Sequence, residues 1–130
     1  MIIDHIGFGV SDYERAKAFY TAALAPLGIG LVLETAGKDN ASGHAAAGFG
    51  RGGDPLFWIG AEGQTSPVMH VAFAAQSREQ VEGFHAAAMA VGARDNGAPG
   101  LRPQYHAHYY AAFVLDLDGH NIEAVCHTLA

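Results

Sequence analysis

Asp4-His5-Ile6-Gly7-Phe8-Gly9-Val10-Ser11-Asp12 is written a second time, in altered form, as Met69-His70-Val71-Ala72-Phe73-Ala74-Ala75-Gln76-Ser77. An offset of 65 residues lays His5 on His70, Phe8 on Phe73, Asp12 on Ser77 and Phe19 on Phe84. Matches gathered at one offset over about twenty positions indicate an internal duplication. The coincidences of Ala22 with Ala87 and Ala23 with Ala88 add little in so alanine-rich a chain. The two-residue period of a strand puts Ile6, Phe8 and Val10 on one face and His5, Gly7 and Gly9 on the other. The large apolar side chains suit a helix-covered face. The histidine face is small-walled, because glycine lets other groups approach closely. In the second copy Val71 and Phe73 take the helix side, and Val68, His70 and Ala72 the other.

The pattern continues outward from each copy. Ser11 and Glu14 have the spacing of a capping box, and a helix is predicted over residues 12–24, stopped by Pro26 and Gly28. Strands are predicted at 29–35, 44–49 and 56–59, with a hairpin turn at Arg51-Gly52-Gly53-Asp54. Residues 60–66 read as a linker. Ser77 with Gln80 opens a second helix that runs to about residue 91 and ends at Gly92. A short strand at 93–96, a Gly/Pro-rich loop at 97–105, a strand at 109–116, a tight turn at Asp116-Leu117-Asp118-Gly119 and a strand at 121–127 complete the chain. Each half reads β-α-β-β-β, and the class is α+β. We expect one domain over residues 1–130, with a first module at about 1–62 and a second at about 67–128.

Half of the 130 residues are hydrophobic, enough for a core, and the net charge of −6 lacks the basic face that nucleic acid requires. No apolar run spans a bilayer and no signal-peptide pattern opens the chain, so the expectation is a cytoplasmic protein without a membrane partner. The single cysteine, Cys126, excludes an internal disulfide and reads as a buried thiol. Eight histidines beside seven Lys plus Arg raise the question of a metal.

On the last predicted strand Ile122, Ala124 and Cys126 share one face, and Asn121, Glu123 and Val125 the other. A carboxylate in so apolar a strand is costly unless exposed or paired. If first and last strands are placed alike in both halves, Glu123 joins His5 and His70 on one concave surface. Two imidazoles and a carboxylate form a facial ligand set with open positions, suited to Fe, Mn, Zn, Ni or Co. The 65-residue offset carries Glu123 onto Trp58, so a symmetric fourth ligand is missing and the set has three members.

At this point the chain resembles the vicinal oxygen chelate superfamily, the group of glyoxalase I, extradiol dioxygenases, fosfomycin-modifying transferases and metal-free bleomycin-resistance proteins. The resemblance is carried by Asp4-His5-Ile6 before Ser11-Asp12, by His70-Val71-Ala72-Phe73, and by Asp118-Gly119-His120-Asn121-Ile122-Glu123. It implies two β-α-β-β-β modules forming a cupped, incomplete barrel, commonly a homodimer, with His5, His70 and Glu123 as metal ligands. The reaction implied is a glyoxalase-like lyase or isomerase step, or a dioxygenase step, on a small oxygen-bearing substrate. The other reading is a metal-free protein that sequesters a drug or metabolite in an aromatic groove furnished by Phe57, Trp58, Tyr105, Tyr109 and Tyr110.

His106, His108 and Tyr105, at the end of the long loop, are candidates for proton transfer. Trp58, Arg102 and Tyr110 are candidates for substrate contact, Arg102 through its bidentate fork. His120 reads as a surface residue of the final turn.

Overall fold

The computed structural model describes residues 3–39 and 43–128. Their elements are β1 (Ile6–Gly9), α1 (Tyr13–Leu24), β2 (Gly30–Thr35), β3 (Ala46–Arg51), β4 (Asp54–Gly60), β5 (His70–Ala74), α2 (Arg78–Ala90), β6 (Arg94–Leu101), β7 (Tyr110–Leu115) and β8 (Asn121–Cys126). They form two four-stranded sheets, ordered β1-β4-β3-β2 and β5-β8-β7-β6. β1 runs parallel to β4 and β5 to β8, and the other pairings are antiparallel. The α+β reading and the two repeated units therefore stand. From the sequence a polar turn is expected at 37–42; residues 40–42 lie outside the described residues, and Gly37–Asp39 form a 3-10 turn.

The duplication extends to the strand register. Gly7 faces Trp58 as Ala72 faces Glu123, and Ile6 faces Phe57 as Val71 faces Ile122. Gly48 faces Trp58 as Phe113 faces Glu123, again at an offset of 65 residues. Trp58 thus occupies in the first sheet the position that Glu123 occupies in the second.

Alternation sorts the faces. Ala112, Val114, Ile122, Ala124 and Cys126 turn inward beneath α2, and Ala47, Phe49, Phe57 and Ile59 turn inward beneath α1, in one continuous core. Phe57 is fully buried, and its ring meets Tyr20 at 4.9 Å, Phe8 at 5.4 Å and Phe73 of the second unit at 5.1 Å between centroids. It is core, not the wall of a groove. Cys126 is buried as expected.

Local chemistry explains most turns. Gly52 and Gly53 have φ of +62° and +86° between the paired residues Arg51 and Asp54, a two-residue hairpin whose twist requires positive φ at both centres. The Ser77 side chain accepts the Gln80 N–H and caps α2.

Three expectations are corrected. The N-cap of α1 is Asp12, which accepts the Arg15 N–H at 3.1 Å. Ser11 instead gives its N–H and its hydroxyl to Asp118, tying the first unit to the final turn of the second. Residues 97–101 are not loop but the second half of β6. As an edge strand, β6 bonds on one side only, so it tolerates Pro99 and absorbs Gly97 in a register shift. His120 is not at the surface: it is 1% exposed and stacks on Phe8 with 4.2 Å between ring centroids. Its Nδ1 accepts the Met69 N–H, and its own N–H goes to the buried Asp116 carboxylate, which also accepts the Tyr20 hydroxyl and the Asp118 N–H. The Asp-x-Asp-Gly turn is therefore a brace between the units. No described helix is long and apolar enough to cross a membrane.

Candidate metal centre

The outward face of the second sheet carries His70 on β5, Asn121 and Glu123 on β8, and Phe113 on β7. They line a cavity of about 500 Å³ together with Tyr105, His106 and Tyr109. Residues 102–109, the loop between β6 and β7, fold back over this face. The loop is closed by Arg102 N–H to the Tyr109 carbonyl at 2.7 Å and by Tyr105 N–H to the Arg102 carbonyl at 3.0 Å.

Glu123 is 2% exposed. Its Oε2 accepts the Tyr109 hydroxyl, and its Oε1 lies 3.1 Å from His70 Nε2. On the far side of that ring, Nδ1 lies 3.2 Å from the carbonyl oxygen of Asn121. A carbonyl only accepts, so Nδ1 carries a proton and Nε2 of the neutral ring is a lone pair. That lone pair faces a carboxylate lone pair, and a proton or a cation must lie between them. Two donors about 2.1 Å from one metal ion, at right angles to each other, stand about 3.0 Å apart. A backbone carbonyl holding Nδ1–H is also the usual way a protein presents Nε2 to a metal. The His70–Glu123 pair fits one cation.

His5 does not join them. It precedes β1, bonds Asp4 at 2.7 Å through Nδ1, and has a side chain 60% exposed. It borders a separate apolar groove with Ile3, Leu56, Phe73 and His70. Among the described residues no three His, Cys, Asp or Glu side chains converge on one point.

The loop residues divide. His106 and Tyr105 line the cavity, and His108 does not. The His108 N–H is accepted by His106 Nδ1 at 3.1 Å, so His106 Nε2 carries the proton that it gives to His127 Nδ1 at 2.7 Å. Arg102 lies over the Phe113 ring, 5.4 Å from its centroid, and bonds the carbonyls of Ala98 and Gly100 at 2.8 Å each. Tyr110 is on the opposite face, its hydroxyl 2.6 Å from Glu82 and its ring under Arg78. Trp58 belongs to the first sheet and lines another cavity, of about 380 Å³, with Gly7, Gly60 and Glu62. Tyr109 is the cavity side chain whose place the sequence least revealed. Burial and the Glu123 bond push its phenol up to about 12. Strand parity identifies Phe113, once the even positions of β7 are known to be core.

The sequence pattern of the Glyoxalase/Bleomycin resistance protein/Dioxygenase superfamily matches residues 2–124. The chain belongs to that superfamily. A glyoxalase/bleomycin resistance protein of Albidiferax ferrireducens T118 is 34% identical, with 98% of this chain and 100% of that one covered and a TM-score of 0.77. The superfamily fold is shared at lower identity with a mutant of the fosfomycin resistance protein FosX of Listeria monocytogenes, solved with Mn(II) and 1S,2S-dihydroxypropylphosphonic acid. There the identity is 21%, the coverage 99% and 94%, and the TM-score 0.68. For glyoxalase I of Zea mays the figures are 18%, 95% and 43%, and 0.70. Among curated proteins none matches the chain. The superfamily description thus spans glyoxalases, bleomycin resistance proteins and dioxygenases.

Proposed function

We propose that this superfamily member is a divalent-metal-dependent enzyme, with His70, Glu123 and His5 as ligands, acting on a small substrate through adjacent oxygen atoms. The observation that carries the proposal is the His70–Glu123 pair: Nδ1–H held by Asn121, and Nε2 turned to a buried carboxylate oxygen 3.1 Å away. The bound ion supplies Lewis-acid stabilisation of negative charge developing on a substrate oxygen. The chain does the rest. Phe113, Tyr109 and Tyr105 wall the substrate and exclude water, Arg102 lies beside Phe113, and the His106–His127 pair takes up or releases a proton at the cavity mouth.

We assign the third ligand to a second copy of the chain, in a cytoplasmic homodimer. His5 is exposed and stands apart from Glu123 in its own chain. Leu31, Leu33, Val68, Leu101 and Tyr105 are 40–61% exposed, apolar surface suited to burial against that copy.

The test is metal analysis of tag-free protein together with the variants His5→Ala and Glu123→Ala. Each variant alone should lose the metal. Mixing the two should restore binding, because a mixed dimer pairs an intact His5 with an intact His70 and Glu123. Metal lost in both and not restored on mixing would place all three ligands within one chain. The ion that co-purifies selects the reaction: iron with oxygen consumption for a dioxygenase, nickel, zinc, manganese or cobalt without it for a lyase or isomerase. The aromatic cavity also favours a second reading, a metal-free binder of the bleomycin-resistance type. It is adopted if the wild type takes up none of these ions.

A further inference from the structure

Glu123 offers two oxygens, and the structure treats them differently. Oε1 faces His70 Nε2, whereas Oε2 is engaged by the Tyr109 hydroxyl. Tyr109 is the last residue before β7, so its phenol belongs to the loop and its acceptor to the sheet floor. The ring is confined on three sides, by Tyr105 at 4.9 Å and by His106 and His127 at 5.3 Å each between centroids. The hydroxyl cannot swing away without dismantling this cluster, whose members His106 and His127 are themselves bonded at 2.7 Å.

We propose that Tyr109 is the positioning residue of the centre: it holds Oε2 so that Oε1 alone is presented beside His70 Nε2, and thereby couples closure of the 102–109 loop to cation binding. The inference rests on the metal reading above and deepens it. A carboxylate free to rotate would offer either oxygen, or both at once. With Oε2 held by a phenol it presents one oxygen at a fixed angle, and residues that orient a ligand in this way govern affinity almost as strongly as the ligand itself. Coupling follows from connectivity. An ion that fixes the Glu123 carboxylate strengthens the anchor of Tyr109, and with it the turn bonds from Arg102 to the Tyr109 carbonyl and from Tyr109 to the His106 carbonyl.

The experiment uses the full chain, with Mn(II) and Ni(II) as probes. Titration calorimetry compares wild type, Tyr109→Phe, Tyr13→Phe and Glu123→Ala, and hydrogen exchange follows the amides of 102–109 with and without Mn(II). Tyr109→Phe keeps the ring and its packing, so its circular dichroism should match wild type. We expect it to bind either ion about 10–100-fold more weakly and to lose the slowing of loop exchange that Mn(II) produces in wild type. Tyr13→Phe, which removes a hydroxyl bonded to Glu34 in the first unit, should retain both. Wild-type loop exchange that Mn(II) does not alter overturns the coupling, with no variant needed. Equal affinity in Tyr109→Phe and wild type, with binding still abolished in Glu123→Ala, overturns the positioning role and leaves the metal reading standing. A wild type that binds neither ion overturns both.

Discussion

Replacing Glu123 by Gln separates a ligand from a structural brace. In the metal-free protein a carboxylate 2% exposed accepts one phenol and meets one imidazole. Glutamine has the same shape. Its carbonyl can keep the Tyr109 hydroxyl, and its amide can donate to the lone pair of His70 Nε2, leaving the Nδ1–H bond to Asn121 intact. The Tyr109 bond, and the His70 bond formed when a proton lies between Nε2 and Oε1, change from charge-assisted to neutral, a loss of about 1 kcal/mol each. The His70 share is smaller still, because that side chain is half exposed and solvent screens it. Against this, removing a buried carboxylate relieves a desolvation penalty of roughly several kcal/mol. The net effect is stabilisation by about 1–2 kcal/mol, a rise in Tm of about 4–8 °C for a chain of this size. Metal reverses the order. An ion present at about 100 times its Kd adds about 2.7 kcal/mol to the wild type, or about 10 °C, and nothing to the variant. Thermal unfolding with chelator and with Mn(II) or Ni(II) gives the four numbers. A metal-free variant melting more than about 5 °C below wild type would refute the reasoning, because Glu123 would then be holding the fold and not awaiting a cation.

Phe57→Ala should cost about 3–5 kcal/mol, and unfolding should remain a single transition because the Phe57 ring touches Tyr20 of the first unit and Phe73 of the second; two separate transitions in calorimetry would show that the halves fold independently. Gly48→Ala would bring a Cβ within 2.9 Å of the Trp58 indole and of Pro55, so it should displace the ring and shift the emission of the only tryptophan; an unchanged spectrum would place the indole elsewhere. Burial beside Asp116 holds the Tyr20 phenol well above its usual value, so the folded state keeps a proton that the unfolded chain releases above pH 10. The associated stability is complete below pH 10 and is lost as the pH rises from there towards the folded value, at about 1.4 kcal/mol per pH unit. Denaturant unfolding at pH 9.5 and 11 should show this fall in wild type and less of it in Tyr20→Phe; equal falls would contradict it.

Local pattern was a sound guide wherever a residue's conformation depends on its near neighbours. Gly52-Gly53 require a tight hairpin, Ser77 caps the helix that follows it, and the alternation of Ile122, Ala124 and Cys126 against Glu123 assigns the faces of β8. It failed where a distant partner competes. Ser11 has good capping chemistry, but Asp118 draws it away and Asp12 takes its place. Gly97 and Pro99 look like loop, yet an edge strand needs only one bonded side and keeps them. His120 has no local signal of burial, and Phe8 and Met69 supply it from more than fifty residues away.

By itself the sequence determined the duplication, the two β-α-β-β-β units and the side of β5 and β8 that bears His70 and Glu123, because periods of 2 and 3.6 are local properties of a chain. The tertiary structure alone decided that His70 and Glu123 meet, that Tyr109 closes on them and that His5 stands across a groove. Those distances depend on how two sheets and a folded-back loop pack. Packing is settled by contacts between residues far apart in sequence, such as Phe57 with Phe73 and Ser11 with Asp118, which no period encodes.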